Sequence, residues 1–140
     1  MPPPPPPAPP PAPPARWRAL PFAPAPGTPL APLDELDEGA ARAFVFGEGK
    51  HAFRMFVVRR GGRVRGYVNR CPHLSLPLDY RPGQFLTHDR ERILCSMHYA
   101  VFRVDDGLCV EGACEGLSLD PVPVAVVGGV LCVAPPEPDP

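Results

Sequence analysis

The start of the chain lacks the basic patch followed by an apolar run that marks a secretory leader, because Met1 runs straight into proline. An apolar run long enough to cross a bilayer is missing too. The longest, residues 121–134, is short and is broken by Pro123, Gly128 and Gly129. Net charge is small, −1 at neutral pH, which argues against nucleic acid as a partner. Two local absences of charge stand out. Residues 50–70 hold seven basic side chains and no acidic one, whereas residues 105–140 hold seven acidic side chains and no basic one. Such a chain is either dipolar, and able to steer a charged partner, or carries the two sets on ordinary solvated faces. Pairing of all cysteines is excluded by their number, five. An odd count fits metal-bound or reduced thiols in a reducing compartment better than a disulfide framework. The expectation is a cytoplasmic protein with no membrane partner.

Proline, by contrast, is abundant and unevenly placed: 16 of 25 fall within the first 34 residues. Residues 2–15 are almost pure Pro and Ala, which cannot bury enough apolar surface to fold. The expected organisation is a disordered Pro/Ala-rich arm over residues 1–27, one compact domain over 28–134, and a short tail over 135–140. Trp17, between Arg16 and Arg18, reads either as a docking spot within that arm or as an incidental part of a linker.

The remainder reads as short strands punctuated by turn residues. Residues 51–60 and 63–69 flank Gly61–Gly62, and residues 122–127 and 130–133 flank Gly128–Gly129, two hairpin patterns. Further strands are expected at 93–94, 100–104 and 108–110, with Asp105-Asp106-Gly107 as a turn. Only residues 33–43 look helical, and Gly39 weakens that reading. The fold class is all-β, a small antiparallel sandwich or barrel.

Two motifs carry chemistry: Cys71-Pro72-His73 and Cys95-Ser96-Met97-His98. Each sets one thiol and one imidazole within a few residues, on turns between strands. Thiolate is soft and suits zinc or an iron–sulfur cluster, and imidazole suits either. The residues alone leave both open, since a Cys2His2 set also makes a tetrahedral zinc site. His51 and His88 have no neighbouring cysteine and are expected at the surface. Cys109, Cys114 and Cys132 lie in apolar surroundings and are expected in the core, with Cys114 near a third loop.

Cys71-Pro-His73-Leu, a gap, Cys95-x-x-His98, a strand and then Gly112-Ala-Cys114-Glu-Gly116 resemble the Rieske iron–sulfur domain. The resemblance runs over most of residues 30–133 and takes in residues 34–39 and 67–71. It implies a [2Fe–2S] cluster in a Rieske-like β fold with two cluster-binding loops. Cys71 and Cys95 would hold the inner iron and His73 and His98 the outer one, with no catalytic residue. Departures from the family pattern include the 21-residue gap between His73 and Cys95, Tyr99 where glycine is usual, and Ala113 where proline is common. The cysteines that form a disulfide in the high-potential members are replaced at the matching positions by Leu76 and Met97. Their serine and tyrosine donors to cluster sulfur are replaced by Ala100 and Phe102. Fewer donors imply a potential in the lower third of the roughly −150 to +300 mV Rieske range.

This set resembles the soluble Rieske-type ferredoxins. It implies an electron carrier, not itself an enzyme, working between a reductase and a terminal oxygenase or related enzyme. The alternatives are a small subunit of a larger oxidoreductase, such as a nitrite reductase-like complex, and a structural zinc-binding module.

Overall fold

A computed structural model describes residues 3–4, 16–70, 78–79, 84–95, 100–112 and 114–135. Among these residues lie nine strands: β1 (Pro29–Pro32), β2 (Ala41–Phe46), β3 (Phe53–Arg60), β4 (Arg63–Val68), β5 (Arg92–Cys95), β6 (Ala100–Arg103), β7 (Cys109–Glu111), β8 (Val124–Val127) and β9 (Val130–Val133). They form three antiparallel sheets of three strands, ordered β1-β9-β8, β2-β3-β4 and β5-β6-β7. The all-β expectation holds.

Two hairpins are set by their turns. Gly61–Gly62 joins β3 to β4 and Gly128–Gly129 joins β8 to β9, with φ of 63°, 75°, 58° and 80°. A two-residue connection with both central φ values positive matches the right-handed strand twist, and glycine adopts it without steric cost.

β3 is the middle strand of its sheet and feeds two cores. Phe56 and Val58 join a buried cluster with Tyr67, Leu78, Phe85, Ile93 and Cys95. Phe53, Met55 and Val57, on the other face, join Trp17, Leu36, Val68, Val122 and Leu131. Burial on both faces explains why β3 reads as a nearly continuous apolar run rather than as an alternation.

Several sequence expectations are corrected. The helical look of residues 33–43 reduces to a single 3-10 turn, Leu33–Glu35, and β2 begins at Ala41. Ala43 and Val45 face outward while Phe44 and Phe46 pack against the second core, so pairing with β3 overrides local propensity. β1 was not expected at all. It is an edge strand, where Pro29 and Pro32 cost few ladder bonds.

Residues 16–27, expected in the arm, pack on the domain instead. Trp17 is 2% exposed; its indole N–H donates to Pro121 O at 2.9 Å, and its ring centroid lies 5.5 Å from that of Phe53. Arg18 lies over the indole, 4.4 Å from its centroid, and Gly27 N–H donates to Val133 O at 2.7 Å. A large apolar ring whose one polar atom finds a carbonyl is worth burying. Trp17 is therefore a core residue, neither a docking spot nor a linker residue. The expectation for the rest of the arm falls outside the described residues, Pro3 and Pro4 apart.

Candidate metal centre

The two motifs lie where strands end. β4 finishes at Val68, and Asn69 and Arg70 lead to Cys71. β5 ends on Cys95, which is paired with Ala100 of β6, so residues 96–99 connect the two strands of a hairpin. Cys71, His73 and His98 lie outside the described residues. Cys95 is fully buried.

The surroundings of both loops converge. Leu78, just past the first loop, and Cys95 and Ala100, on either side of the second, belong to one buried cluster. A third segment abuts them, since a Cβ built on Gly112 would come 2.8 Å from the Cα of Ala100. Cys114, in that segment, is 1% exposed. Among the described residues, no group of three or more His, Cys, Asp or Glu is placed to hold a metal elsewhere. The buried thiol of Cys95 at a strand end, with the first loop's exit beside it, suits an iron–sulfur group with two thiolates and two imidazoles.

Asn69 clasps the first loop, a role that motif reading missed. It is the one buried polar residue among those described, 8% exposed. Its side-chain N–H donates to Asp79 Oδ1 at 2.8 Å, its Oδ1 accepts the Leu78 N–H at 2.8 Å, and its backbone N–H donates to Arg54 O at 2.9 Å. One side chain thus joins the entry of the loop to its exit. The available signal was an asparagine two residues before the first Cys–His motif, a residue type whose amide closes turns.

The long gap before Cys95 is anchored as well. Phe85, 1% exposed, stacks on Phe56 with centroids 4.5 Å apart, and its carbonyl accepts the Leu94 N–H at 2.8 Å. Tyr67, 2% exposed, donates its hydroxyl to Val104 O at 2.5 Å, and burial, partly opposed by the Arg65 charge, pushes its phenol far above the ordinary range. Ala100 and Phe102 are both buried on β6, so the strand offers no side-chain hydroxyl at either position.

A cleft of about 330 Å³ lies beside the first loop, between Leu20, Pro21, Phe53 and Val68, with Lys50, His51, Arg54 and Arg70 also lining it. Among the described residues, Lys50, Arg54 and Arg70 form no ion pair, whereas Arg59, Arg92 and Arg103 pair with Glu38, Glu111 and Asp106. His51 and His88 are exposed and Cys109 is buried, as expected, while Cys132 on β9 is half-buried.

Comparison with known proteins matches the model of the Rieske [2Fe-2S] domain to residues 28–123. Among solved structures, the ferredoxin of carbazole 1,9a-dioxygenase from Nocardioides aromaticivorans IC177 is similar, with 28% identity and a TM-score of 0.62 over 79% of this chain and 99% of that one. A chain in a complex of reduced oxygenase and oxidized ferredoxin in carbazole 1,9a-dioxygenase shares the fold, with 23% identity and a TM-score of 0.60 over 76% of this chain and 90% of that one. The terminal oxygenase from the same Nocardioides strain shares the fold at 23% identity and a TM-score of 0.63; the match covers 82% of this chain but 31% of the oxygenase. No curated protein sequence matches the chain. The family match spans both Cys–His motifs, and on that ground the chain belongs to the Rieske [2Fe-2S] domain family and carries one cluster of that type.

Proposed function

We propose that the protein is a one-electron carrier whose cluster is held by Cys71, His73, Cys95 and His98, working between a reductase and a terminal oxygenase or related enzyme. The observation that carries this reading is the Rieske match over residues 28–123, together with the likeness to a dioxygenase ferredoxin that is covered almost end to end. When bound, the cluster supplies a site that takes up one electron and gives it back. The chain does the rest. Cys95, buried at the end of β5, offers a thiolate shielded from water, and Asn69 fixes the two ends of the first loop. A loop tied at both ends would change shape little between oxidation states, which would lower the cost of reorganisation. Alanine and phenylalanine at positions 100 and 102 leave the negative charge of the reduced state less stabilised than hydroxyl donors would, which supports a low potential. The basic residues beside the first loop, which form no ion pair among the described residues, suit an acidic partner surface. The odd cysteine count supports a reducing, cytoplasmic site of action; among the described residues no helix is long and apolar enough to cross a membrane.

Absorption and electron paramagnetic resonance spectra of anaerobically purified protein test the assignment. The expected result is a reducible [2Fe–2S] signal that Cys95→Ser abolishes and that His98→Cys shifts to lower potential, since thiolate replaces a neutral imidazole. Colourless protein with stoichiometric zinc, unchanged by iron–sulfur reconstitution, overturns it.

A further inference from the structure

Cys109 and Cys114 stand outside the ligand set, yet their sulfurs are 3.1 Å apart. Local folding brings them together. β7 begins at Cys109, and the chain turns back at once: Gly116 N–H donates to Cys109 O at 3.1 Å, Leu117 N–H to Cys114 O at 2.8 Å, and Cys109 N–H to Leu117 O at 2.8 Å. A disulfide has its sulfurs about 2.05 Å apart, so a closure of about an ångström would join them. Both residues are 1% exposed, but Glu111, Gly112, Glu115 and Gly116 around them are exposed. The pair therefore lies just beneath a surface turn, where local opening costs far less than global unfolding.

We propose that Cys109 and Cys114 form a redox-convertible dithiol, which hydrogen peroxide oxidises to an intramolecular disulfide. In the first step one sulfur, as thiolate, attacks a peroxide oxygen. An S–O bond forms, the O–O bond breaks, and the departing hydroxide takes up the thiol's proton as water. The second sulfur then attacks the sulfenic sulfur; an S–S bond forms, the S–O bond breaks, and the hydroxyl leaves with the second thiol's proton as another water. Two thiols lose two electrons in all, and one peroxide becomes two waters. The closed loop is short, so its stabilisation by chain entropy is small and dithiol reagents should reopen it. The bond would tie down the turn whose Gly112 abuts Ala100, directly after the second ligand loop. The inference rests on the two sulfurs and not on the identity of the cluster ligands.

The holoprotein is treated with hydrogen peroxide, quenched with catalase, unfolded, alkylated and digested with trypsin and a glutamate-specific protease. Cleavage after Arg103, Glu111 and Glu115 puts Cys109 and Cys114 on separate peptides, residues 104–111 and 112–115, and leaves Cys132 on a third. The expected result is one joined species, lighter by two hydrogens than the two peptides and parted by dithiothreitol. Alkylated cysteines per chain then fall from five to three. Cys109→Ser and Cys114→Ser should each abolish the joined species, and if a serine variant fails to fold, the wild-type digest alone decides. Separately alkylated 104–111 and 112–115 peptides after peroxide overturn the proposal, as does joining of either cysteine to Cys71 or Cys95. Visible absorption of the same samples keeps the two readings apart. Protein colourless from the outset counts against the cluster and leaves the peptide result valid. A link that forms only after the absorption has bleached counts against the dithiol.

Discussion

At the scale of single residues, Tyr67 shows how burial converts into pH dependence. Its hydroxyl donates to Val104 O, and its phenol is held protonated well above the range of an exposed tyrosine. In the unfolded chain the same phenol ionises near pH 10. The folded form therefore binds the proton more tightly, and the stability it contributes is fully present below about pH 10 and is lost as pH rises beyond it. Tyr67→Phe should cost about 1 kcal/mol at neutral pH, the loss of one buried hydrogen bond. The gap between variant and wild type should then shrink between about pH 9 and pH 11, because only the wild type carries the titrating phenol. Denaturant titrations of both proteins across that range check the sign; a gap that widens with pH contradicts it. Asn69 belongs to the same scale. Its amide and carbonyl are both used, so each of Asn69→Ala and Asn69→Asp removes a bond that closes the ligand loop.

Elements explain what could be read from the sequence and what could not. The Gly–Gly hairpins were legible, because a turn type demands particular residues at fixed spacing, and the Rieske family was legible from the two Cys–His motifs that its match spans. β1 and β2 were not. Pro29 and Pro32 look like linker residues until β9 supplies an edge for them, and Ala41–Phe46 alternates only once β3 lies alongside. Trp17 was misread for the same reason, since its partners Phe53 and Pro121 are distant in sequence. Cys71, His73 and His98 lie outside the described residues, so the proposed ligand set rests on residue types and spacing. Two truncations separate arm from domain. Removing residues 1–15 should leave the melting temperature and cluster content unchanged. Removing residues 1–26 also takes Trp17 and should destabilise the fold by roughly 3 kcal/mol or more, the cost of emptying a large aromatic site. Thermal melts with visible absorption distinguish the two; equal melting of both truncations would show that Trp17 contributes nothing.

For the molecule as a whole, the net charge of −1 conceals an uneven field. Lys50, Arg54 and Arg70 gather at the cleft beside the first ligand loop. An anionic reductant should therefore approach faster than net charge predicts, and added salt should slow it. Stopped-flow reduction by dithionite at two ionic strengths measures this. The double substitution Lys50→Glu with Arg54→Glu should lower the rate several-fold at low salt and should flatten or reverse its salt dependence. An unchanged rate would show that the cleft plays no part in steering.

The pairing of the first strand with the last has a topological consequence. β1 and β9 lie side by side, and Arg18 reaches the carbonyl of Ala134 at 3.4 Å. The two ends of the β framework thus lie together, and its connectivity can be rotated. A circular permutant that links residue 134 back to residue 16 through a short flexible segment, and opens instead between Gly61 and Gly62, keeps every strand pairing of the parent. It also moves the Pro/Ala arm, or any cargo fused in its place, from the β1–β9 edge to the tip of the β3–β4 hairpin.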